Sequence, residues 1–463
     1  MQLTITDTPL SPRPFLGLGV QADGVLYNAL NAECGCGVAD YALNEERLLA
    51  MRPAIARMFF DVDAICPGLR VDAFDPQAPA YANNLRMLRV LKDCGTRVNA
   101  VLFKPFEIPL AQLDAAVDCM VHILRVLRDE DDCDHIRWLT LYNEPESPFP
   151  HDSPLMRRVF GAERLSKWHT WEDYVRLNHG AIARIAAAGL DVQLAVADCV
   201  WGAQVRRERM ERAAAEFHSA PVCYSYHNYN PESREFYAGG NPDYAYAGMR
   251  EEAAHFRALV GPEAPLVTWE FNLAGTGFGS HFPGVDERGS LALEAPDGGA
   301  RIADKVLRAI QGGVDGLSIW CMGDMHYMPT PQHHGVMRFG LWRYKWENWT
   351  IRPYAHAYAL LCQTLRPGIV FRAVEGGTAT VHAVAGAGPG GRVVAIVNTG
   401  DAPADVTLAM TGGWPAGTAR TAAPQATWVK DMAFPQATAD SVDAAAALRL
   451  GIPAHAVTVW TSQ

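Results

Sequence analysis

Two glutamates stand at the ends of apolar runs in distant parts of this sequence. Glu144 follows the run WLTLY as part of Asn143-Glu144-Pro145, and Glu270 lies near the end of PLVTWEFN. Two carboxylates that face one site can cleave a glycosidic bond, because one protonates the leaving oxygen while the other attacks or activates water. The pair therefore predicts glycoside hydrolysis, provided that the fold brings both side chains together.

Other side chains in comparable apolar runs have matching chemistry. Arg57 lies in ARMFFDVDAI, His227 and Tyr229 end PVCYSYHNY, and Trp320 lies in VDGLSIWCMG. Arg57 could keep one carboxylate ionised by its charge, and Tyr229 could donate a hydrogen bond to the same group. Asn143 could bind the sugar 2-hydroxyl, and Trp320 could offer its ring face to the sugar. We expect His227 to orient its neighbours rather than to carry the proton.

Eight strand-like runs alternate with helical segments between residues 15 and 365. Continuous apolar runs are typical of buried parallel strands. Eight strand–helix units in roughly 350 residues predict an α/β fold, a (β/α)8 TIM barrel with loop insertions. A doubly wound open sheet is the rival, but it usually has fewer units and a Gly-rich first turn, to which GLGVQADG conforms only loosely. In a barrel, the ends of these runs meet at one mouth.

The pattern changes after residue 366. Alternating segments such as TATVHAVAG, GRVVAIVNTG and AHAVTVWTS replace the helical periods, with Gly, Pro and Asp turns between them. Such alternation predicts a small C-terminal β-sandwich. We therefore predict a barrel over residues 15–366 and a sandwich over 367–463, with segment 1–14 as a strand that could join the sandwich.

Composition excludes several classes of protein. The net charge is −11 and no basic run is present, which argues against a nucleic-acid partner. We find no apolar window long enough to cross a membrane and no signal-peptide pattern at the N-terminus, so we expect a cytoplasmic protein. Most of the ten cysteines are expected to be small buried hydrophobic residues. Cys34 and Cys36 are too few for a zinc site.

The motifs YNEP, HNY, TWEFN and LSIW resemble those of clan A, a group of retaining glycoside hydrolases that includes families 5, 30 and 39. The resemblance implies that Glu144 is the acid/base, Glu270 the nucleophile and Asn143 the contact to the 2-hydroxyl. It also implies Tyr229 and Arg57 as partners of the nucleophile and Trp320 as the floor under the reacting sugar. A barrel followed by a small sandwich resembles families 30 and 39, whereas the His-x-Tyr motif is more similar to family 5.

One residue departs from the family 5 pattern. That family commonly has a histidine at the end of the third barrel strand, where this chain has Lys104 in VLFKPF. Lys104 could contact the substrate or pair with Asp61 or Asp63. The departure affects the expected shape of the sugar site but not the carboxylate pair.

Two long segments, 272–289 and 323–349, follow the last two barrel strands. Long loops on the active face predict a narrowed pocket and exo action on a short substrate. Four residues of the second segment have a spacing that fits no metal-ligand pattern, so we expect a solvated or substrate-contacting loop: Asp324, His326, His333 and His334.

The sequence thus predicts a retaining β-glycosidase that acts by double displacement on short oligosaccharides or glycosides, with no cofactor or metal. Retention requires the carboxyl groups to be about 5–5.5 Å apart. A transglycosylase would use the same residues, and a non-catalytic carbohydrate-binding protein could keep the same scaffold. A metal-dependent lyase or isomerase barrel would instead need three or four ligands at the strand ends.

Overall fold

The computed structural model describes residues 1–103, 105, 108–145, 170–200, 203–229, 248–273, 293–326, 336–424, 434–435 and 437–462. Eight parallel strands close into a barrel in sequence order, because the last strand pairs with the first. Strand β1 (Gln2–Pro9) belongs to a second sheet. The barrel strands are β2 (Gly17–Gln21), β3 (Ile55–Phe60), β4 (Arg97–Leu102), β5 (Ile136–Thr140), β6 (Gln193–Cys199), β7 (Val222–Asn228), β8 (Leu266–Phe271) and β9 (Gly316–Ile319).

Helices surround the barrel strands. The helices are α1 (Ala29–Glu33), α2 (Val38–Met51), α3 (Val62–Ile65), α4 (Pro79–Asp93), α5 (Leu113–Asp129), α6 (Trp171–Ala187), α7 (Ala203–Phe217), α8 (Met249–Val260), α9 (Gly298–Gln311) and α10 (Pro353–Thr364). Short 3-10 turns cover Gly24–Tyr27, Val71–Ala73, Leu110–Gln112 and Lys345–Glu347. The predicted (β/α)8 barrel is confirmed.

The barrel interior is apolar at its lower level and polar near the mouth. Ile55 on β3 belongs to the interior cluster, and the rings of Trp138 and Trp269 lie 5.2 Å apart within it. Arg57 lies two residues after Ile55 and therefore on the same face of β3, one level higher. Since it is fully buried, its charge must be balanced by neighbouring strand ends.

The second sheet contains β1 and eight C-terminal strands: β10 (Val370–Glu375), β11 (Val381–Gly388), β12 (Gly391–Asn398), β13 (Ala404–Trp414), β14 (Gly417–Ala422), β15 (Thr438–Val442), β16 (Ala445–Ile452) and β17 (Ala456–Ser462). Its nine strands pair in the order β15-β14-β17-β12-β11-β10-β1-β13-β16. Trp414 on β13 and Trp460 on β17 are far apart in this order, yet their rings lie 5.0 Å apart. The sheet therefore folds over itself, and the predicted β-sandwich is confirmed.

The two parts of the chain meet along helix α9. Gln311 donates to the carbonyl of Ala383 on β11 at 2.9 Å. β1 pairs with β10 on one side and with β13 on the other. The sandwich therefore contains strands from both ends of the chain, while the domain limits 15–366 and 367–463 stay predictions.

The ten cysteines are free, and nine of them are buried, so the prediction that most act as small buried hydrophobic residues is confirmed. Among the described residues, no helix combines the length and the apolar character that a membrane crossing requires.

Candidate active site

Glu144 lies four residues beyond β5, on a backbone that is held in an unusual conformation. Its φ angle is 50°, in the left-handed region that non-glycine residues rarely occupy. Its backbone N–H donates to the carbonyl of Asp198 at 3.1 Å, which ties the turn to the end of β6. The side chain remains partly exposed at the mouth. Backbone strain of this kind is commonly found at functional sites.

Glu270 lies on β8 and is only 3% exposed. One of its carboxylate oxygens accepts from Arg57, and the other accepts from the Tyr229 hydroxyl at 2.7 Å. Burial raises the pKa of Glu270, and the charge of Glu144 raises it further, while His227, Arg57 and the Tyr229 hydrogen bond act in the opposite direction. On balance the pKa of Glu270 is raised by its burial, while the surrounding donors favour the charged form that attack requires.

His227 lies between the two glutamates. Its Nδ1 is 3.0 Å from Glu144 Oε1 and 3.4 Å from Glu270 Oε2, and its Nε2 is 3.1 Å from Asp198 Oδ1. Burial by itself would lower the pKa of the ring. The charges of Glu270 and Asp198, with hydrogen bonds to Asp198 and Glu144, outweigh that effect and raise the pKa of His227 to about 10. The neighbouring carboxylates thus favour the charged form of the ring.

Arg57 joins the remaining polar groups of the mouth. Its NH2 lies 2.6 Å from Asn143 Oδ1 and 2.8 Å from Asp198 Oδ2, and its NH1 contacts Glu270 and also Gln21 Oε1 at 3.3 Å. Burial would lower the pKa of this guanidinium, but the charges of Asp198 and Glu270 raise it overall. The structure therefore brings six of the residues named from the sequence close together: Arg57, Asn143, Glu144, His227, Tyr229 and Glu270.

The sequence analysis missed Asp198. This residue lies in β6, is fully buried, and accepts from Ser225 Oγ at 2.5 Å as well as from Arg57. Burial favours its neutral form, but the charges of His227 and Arg57 prevail and hold the pKa of Asp198 well below its usual range. The signal was present, because a charged residue near the end of the apolar run DVQLAVADC resembles the pattern that selected Arg57.

Trp320 follows β9 at the mouth and is 6% exposed. Its ring packs edge-on against Phe59 at 5.7 Å, and Phe59 packs against Phe103 at 5.0 Å. The peptide bond between Trp320 and Cys321 is cis. Lys104 lies outside the described residues, so the predicted contact of Lys104 with substrate, Asp61 or Asp63 stays a prediction.

Two cavities lie beside the ends of barrel strands, and the residues that line them do not include Glu144 or Glu270. One, of about 430 Å³, lies next to β3 and β4 and is lined by Asp61, Val62, Asp63, Gly68, Leu69, Phe103, Ile108, Pro109 and Gln112. The other, of about 300 Å³, is lined by Tyr142, Pro145, Thr170, Trp171, Glu172, Tyr174, Arg209 and Arg212.

A buried polar layer lies behind the mouth and joins the ends of β7 and β8. The ammonium of Lys305 on α9 donates to the carbonyls of Asn228 at 2.9 Å and Asn272 at 3.0 Å. Asn228 in turn donates to Glu252, which is ion-paired with Arg206. These contacts fix the backbone next to Tyr229 and Glu270.

The donor set also permits a test of metal binding. Atoms of Glu144, His227 and Glu270 lie within 4.8 Å of one another, a spacing that an ion could accept. A divalent cation there would stand beside the Arg57 guanidinium and a protonated imidazole, and like charges disfavour that arrangement. The donors fit proton transfer better than metal ligation.

Among the residues named in segment 323–349, Asp324 is also poorly placed to bind a metal. Both carboxylate oxygens of Asp324 accept from Arg352 at 2.8 Å, and Oδ1 also accepts from the Gly340 N–H. This carboxylate is already committed to structural contacts. His333 and His334 lie outside the described residues.

No protein-family model and no curated protein matches this sequence. Solved structures match along its whole length. The catalytic domain of a glycoside hydrolase family 30 xylanase C from Talaromyces cellulolyticus has a TM-score of 0.65 at 12% identity, with 100% of both chains covered. A family 39 β-xylosidase from Caulobacter crescentus has a TM-score of 0.61 at 14% identity, again over 100% of both chains. A glucosidase from Croceicoccus marinus has a TM-score of 0.63 at 13% identity, covering 99% of this chain and 98% of the other.

The fold is shared with these solved glycoside hydrolases of families 30 and 39. Identities this low establish a shared fold and leave the chemistry to the residues of this chain. The predicted resemblance to clan A is confirmed at that level, with the barrel-plus-sandwich layout of families 30 and 39. The roles of the individual site residues stay predictions.

Proposed function

We propose that this chain is a retaining glycoside hydrolase that cleaves a β-glycosidic bond by double displacement. The observation that supports it most directly is the spacing of the two glutamates. An oxygen of Glu144 and an oxygen of Glu270 lie within 4.8 Å of each other. An inverting enzyme would need about 6.5–9.5 Å between the carboxyl groups to admit a water molecule.

In the first step, ionised Glu270 attacks the anomeric carbon and forms a covalent glycosyl–enzyme, while Glu144 donates its proton to the departing oxygen. Arg57 and Tyr229 hold the two oxygens of Glu270, so the attacking carboxylate is oriented before substrate binds. Asn143 stands next to the acid, where the clan A resemblance places a contact to the sugar 2-hydroxyl.

In the second step, Glu144 is a carboxylate and removes a proton from water. The water oxygen attacks the anomeric carbon, the bond to Glu270 breaks, and the sugar leaves with its original configuration. Because His227 contacts both glutamates, its charge stabilises Glu270 before attack and Glu144 after proton donation.

The substrate is proposed to be a short β-linked oligosaccharide or glycoside of a pentose or hexose. The solved structures with this fold include proteins named as xylanases, a β-xylosidase and a glucosidase. Exo action rests on the lengths of the two loop segments in the sequence, most of which lie outside the described residues. The sizes of the products released from xylo- and gluco-oligosaccharides test it.

The first experiment is a screen of aryl β-glycosides and oligosaccharides with wild type, Glu144→Ala and Glu270→Ala. We expect one substrate class to turn over, and each substitution to lower kcat/KM by at least about 1,000-fold on an unactivated substrate. Glu130→Ala, which removes an exposed carboxyl at the end of helix α5, is the matched control and should retain full activity.

Azide identifies the nucleophile. If Glu270 attacks the sugar, azide should restore activity to Glu270→Ala and yield a glycosyl azide of inverted configuration. Full activity in either glutamate variant would refute the proposal.

A transglycosylase is the second candidate, because the same residues perform its chemistry. Product analysis with an added sugar acceptor separates the two. If no glycoside reacts but a sugar raises Tm equally in wild type and variants, the chain is a carbohydrate-binding protein. A cytoplasmic location is also proposed, on the ten free cysteines, and cell fractionation checks it.

A further inference from the structure

Asp198 was not among the site residues predicted from the sequence, yet it contacts three of them. Its carboxylate contacts His227 and Arg57, and its backbone carbonyl accepts from the N–H of Glu144. We propose that Asp198 is a positioning residue for the cleavage reaction. It fixes the orientation and the protonation of the His227 ring, and His227 in turn fixes the positions of Glu144 and Glu270 relative to each other. The inference rests on the function proposed above and deepens it.

Irregular strand pairing places these groups opposite one another. Between β6 and β7, Ala197 pairs with Ser225 and Cys199 with Tyr226, so Asp198 is an extra residue in its strand. Between β7 and β8 the pairing also shifts, which brings His227 opposite Glu270. Such bulges re-aim side chains and are common beside active sites.

The backbone around Asp198 is correspondingly unusual. Ala197 and Asp198 have φ angles of 73° and 47°, both in the left-handed region. Glu144, which donates its N–H to Asp198, has a φ of 50°. Three non-glycine residues in this region on two adjacent strand ends indicate a conformation that surrounding contacts must hold.

Asp198 faces the Nε2 side of the His227 ring. Its Oδ1 lies 3.1 Å from Nε2, and a carboxylate can only accept, so its negative charge favours a proton on that nitrogen. Nδ1 then uses its own proton toward Glu144 and Glu270, at 3.0 and 3.4 Å. Without the negative charge of Asp198, the buried ring would lose one of the groups that favour its charged form.

Charged groups from four other strand ends surround the ring. Those on adjoining elements are Asp198 from β6, Glu144 beyond β5, Glu270 from β8 and Arg57 from β3. The ring therefore balances three carboxylates together with Arg57, so an uncharged residue at position 198 changes the electrostatics of both glutamates at once.

Asp198→Asn tests the proposal because the amide keeps the size of the side chain and removes its charge. We expect kcat/KM to fall by about 100-fold or more, with kcat affected more than KM because Asp198 lies beneath the sugar site. Asp315→Asn is the matched control: Asp315 is also buried and bound to an arginine, but lies at the opposite end of the barrel. Its folded fraction should retain activity within about threefold.

A spectroscopic measurement separates positioning from a general loss of structure. In wild type, NMR should show two ring N–H protons for His227 through neutral pH, assigned by their disappearance in His227→Gln. In Asp198→Asn, one of them should be lost within the neutral range. Retained ring protonation together with activity within threefold of wild type would overturn the inference.

Failure of the proposed function and failure of the Asp198→Asn variant to fold give different results. If wild type hydrolyses no glycoside, the proposed function fails, while the ring protons still decide whether Asp198 controls His227. If Asp198→Asn does not fold by circular dichroism, Ser225→Ala removes a donor to Asp198 without changing charge. That variant should lose about 10-fold in kcat/KM, and unchanged activity would count against the proposal.

Discussion

The barrel holds a buried aspartate at each end, and the two make different use of similar partners. Asp198 lies near the mouth and is bound to Arg57, and Asp315 precedes β9 at the base and is bound to Arg257. Each also accepts a hydrogen bond from a serine hydroxyl. Both therefore satisfy the rule that a buried charge must be paired.

The third partner distinguishes them. Asp315 accepts from the backbone N–H of Leu266 at 2.9 Å, which anchors the start of β8, and it also lies 3.8 Å from Arg13. Asp198 is met by His227, whose other nitrogen reaches the glutamates. A buried ion pair thus becomes part of a reactive site when its contacts extend to groups that a substrate can reach.

Their proton affinities also differ. Burial raises the pKa of Asp315, although Arg257 and several donors act against it. The pKa of Asp198 is lowered in spite of burial, because His227 and Arg57 supply two positive charges. Asp315 also lies 3.8 Å from Arg13, but that side chain is 30% exposed, whereas both cations beside Asp198 are fully buried.

Replacement of the two arginines by lysine should give the largest contrast. Arg57→Lys loses the planar group that reaches Glu270, Asp198 and Asn143 together, so we expect kcat/KM to fall by about 10²–10³-fold. Arg257→Lys should lower the free energy of unfolding with little effect on kcat/KM of the folded protein. Steady-state kinetics and urea unfolding on both variants check this. Equal losses of activity would remove the functional distinction between the two ends.

Removal of a single hydroxyl should have a smaller effect. Tyr229→Phe deletes one donor to Glu270, and a hydrogen bond to a charged group is worth about 1.5–3 kcal/mol, so we expect roughly a 10- to 100-fold loss in kcat/KM. Tyr358→Phe is the control, because that hydroxyl donates to the backbone of Gly19 at 2.6 Å. It should change Tm and leave turnover unchanged. A loss of turnover in both variants would indicate a general effect of packing.

The pH dependence of stability should differ in sign between the two aspartates. The lowered pKa of Asp198 contributes stability that is present above the unfolded value of about 3.9 and lost as pH falls below it. The raised pKa of Asp315 has the opposite effect, because ionisation of this group costs stability as pH rises from about 3.9 through its raised folded value. Urea unfolding from pH 3 to 6 should therefore show that, relative to wild type, the free energy of unfolding falls less on acidification in Asp198→Asn and more steeply in Asp315→Asn. The same slope in both would contradict the assignment.

Much of the site could be predicted because polar residues at the ends of apolar runs can be recognised in the sequence. Continuous apolar runs identified the parallel barrel, and the polar residues at their ends included Glu144, Glu270 and His227. Each of these is a residue type that an apolar run would not carry without a partner. Lys104 was chosen in the same way, but it lies outside the described residues.

Asp198 shows the limit of this reasoning. Its run, DVQLAVADC, also carries a charged residue near its end. Asp315 is equally conspicuous, because it lies near the start of the apolar run VDGLSIW. Nothing in either run tells which carboxylate meets a histidine and which meets a backbone N–H. That choice depends on contacts between strands whose residues are far apart in the chain.

The order of amino acids alone is sufficient for the barrel, the terminal sandwich and the two glutamates, because hydrophobic periodicity is a local property of each run. The position of His227 between those glutamates and the contact of Asp198 with it required the folded chain. The physical reason is the register of the barrel strands: the bulges after Ala197 and Tyr226 shift the pairing, and a shift of one residue reverses the face to which a side chain points.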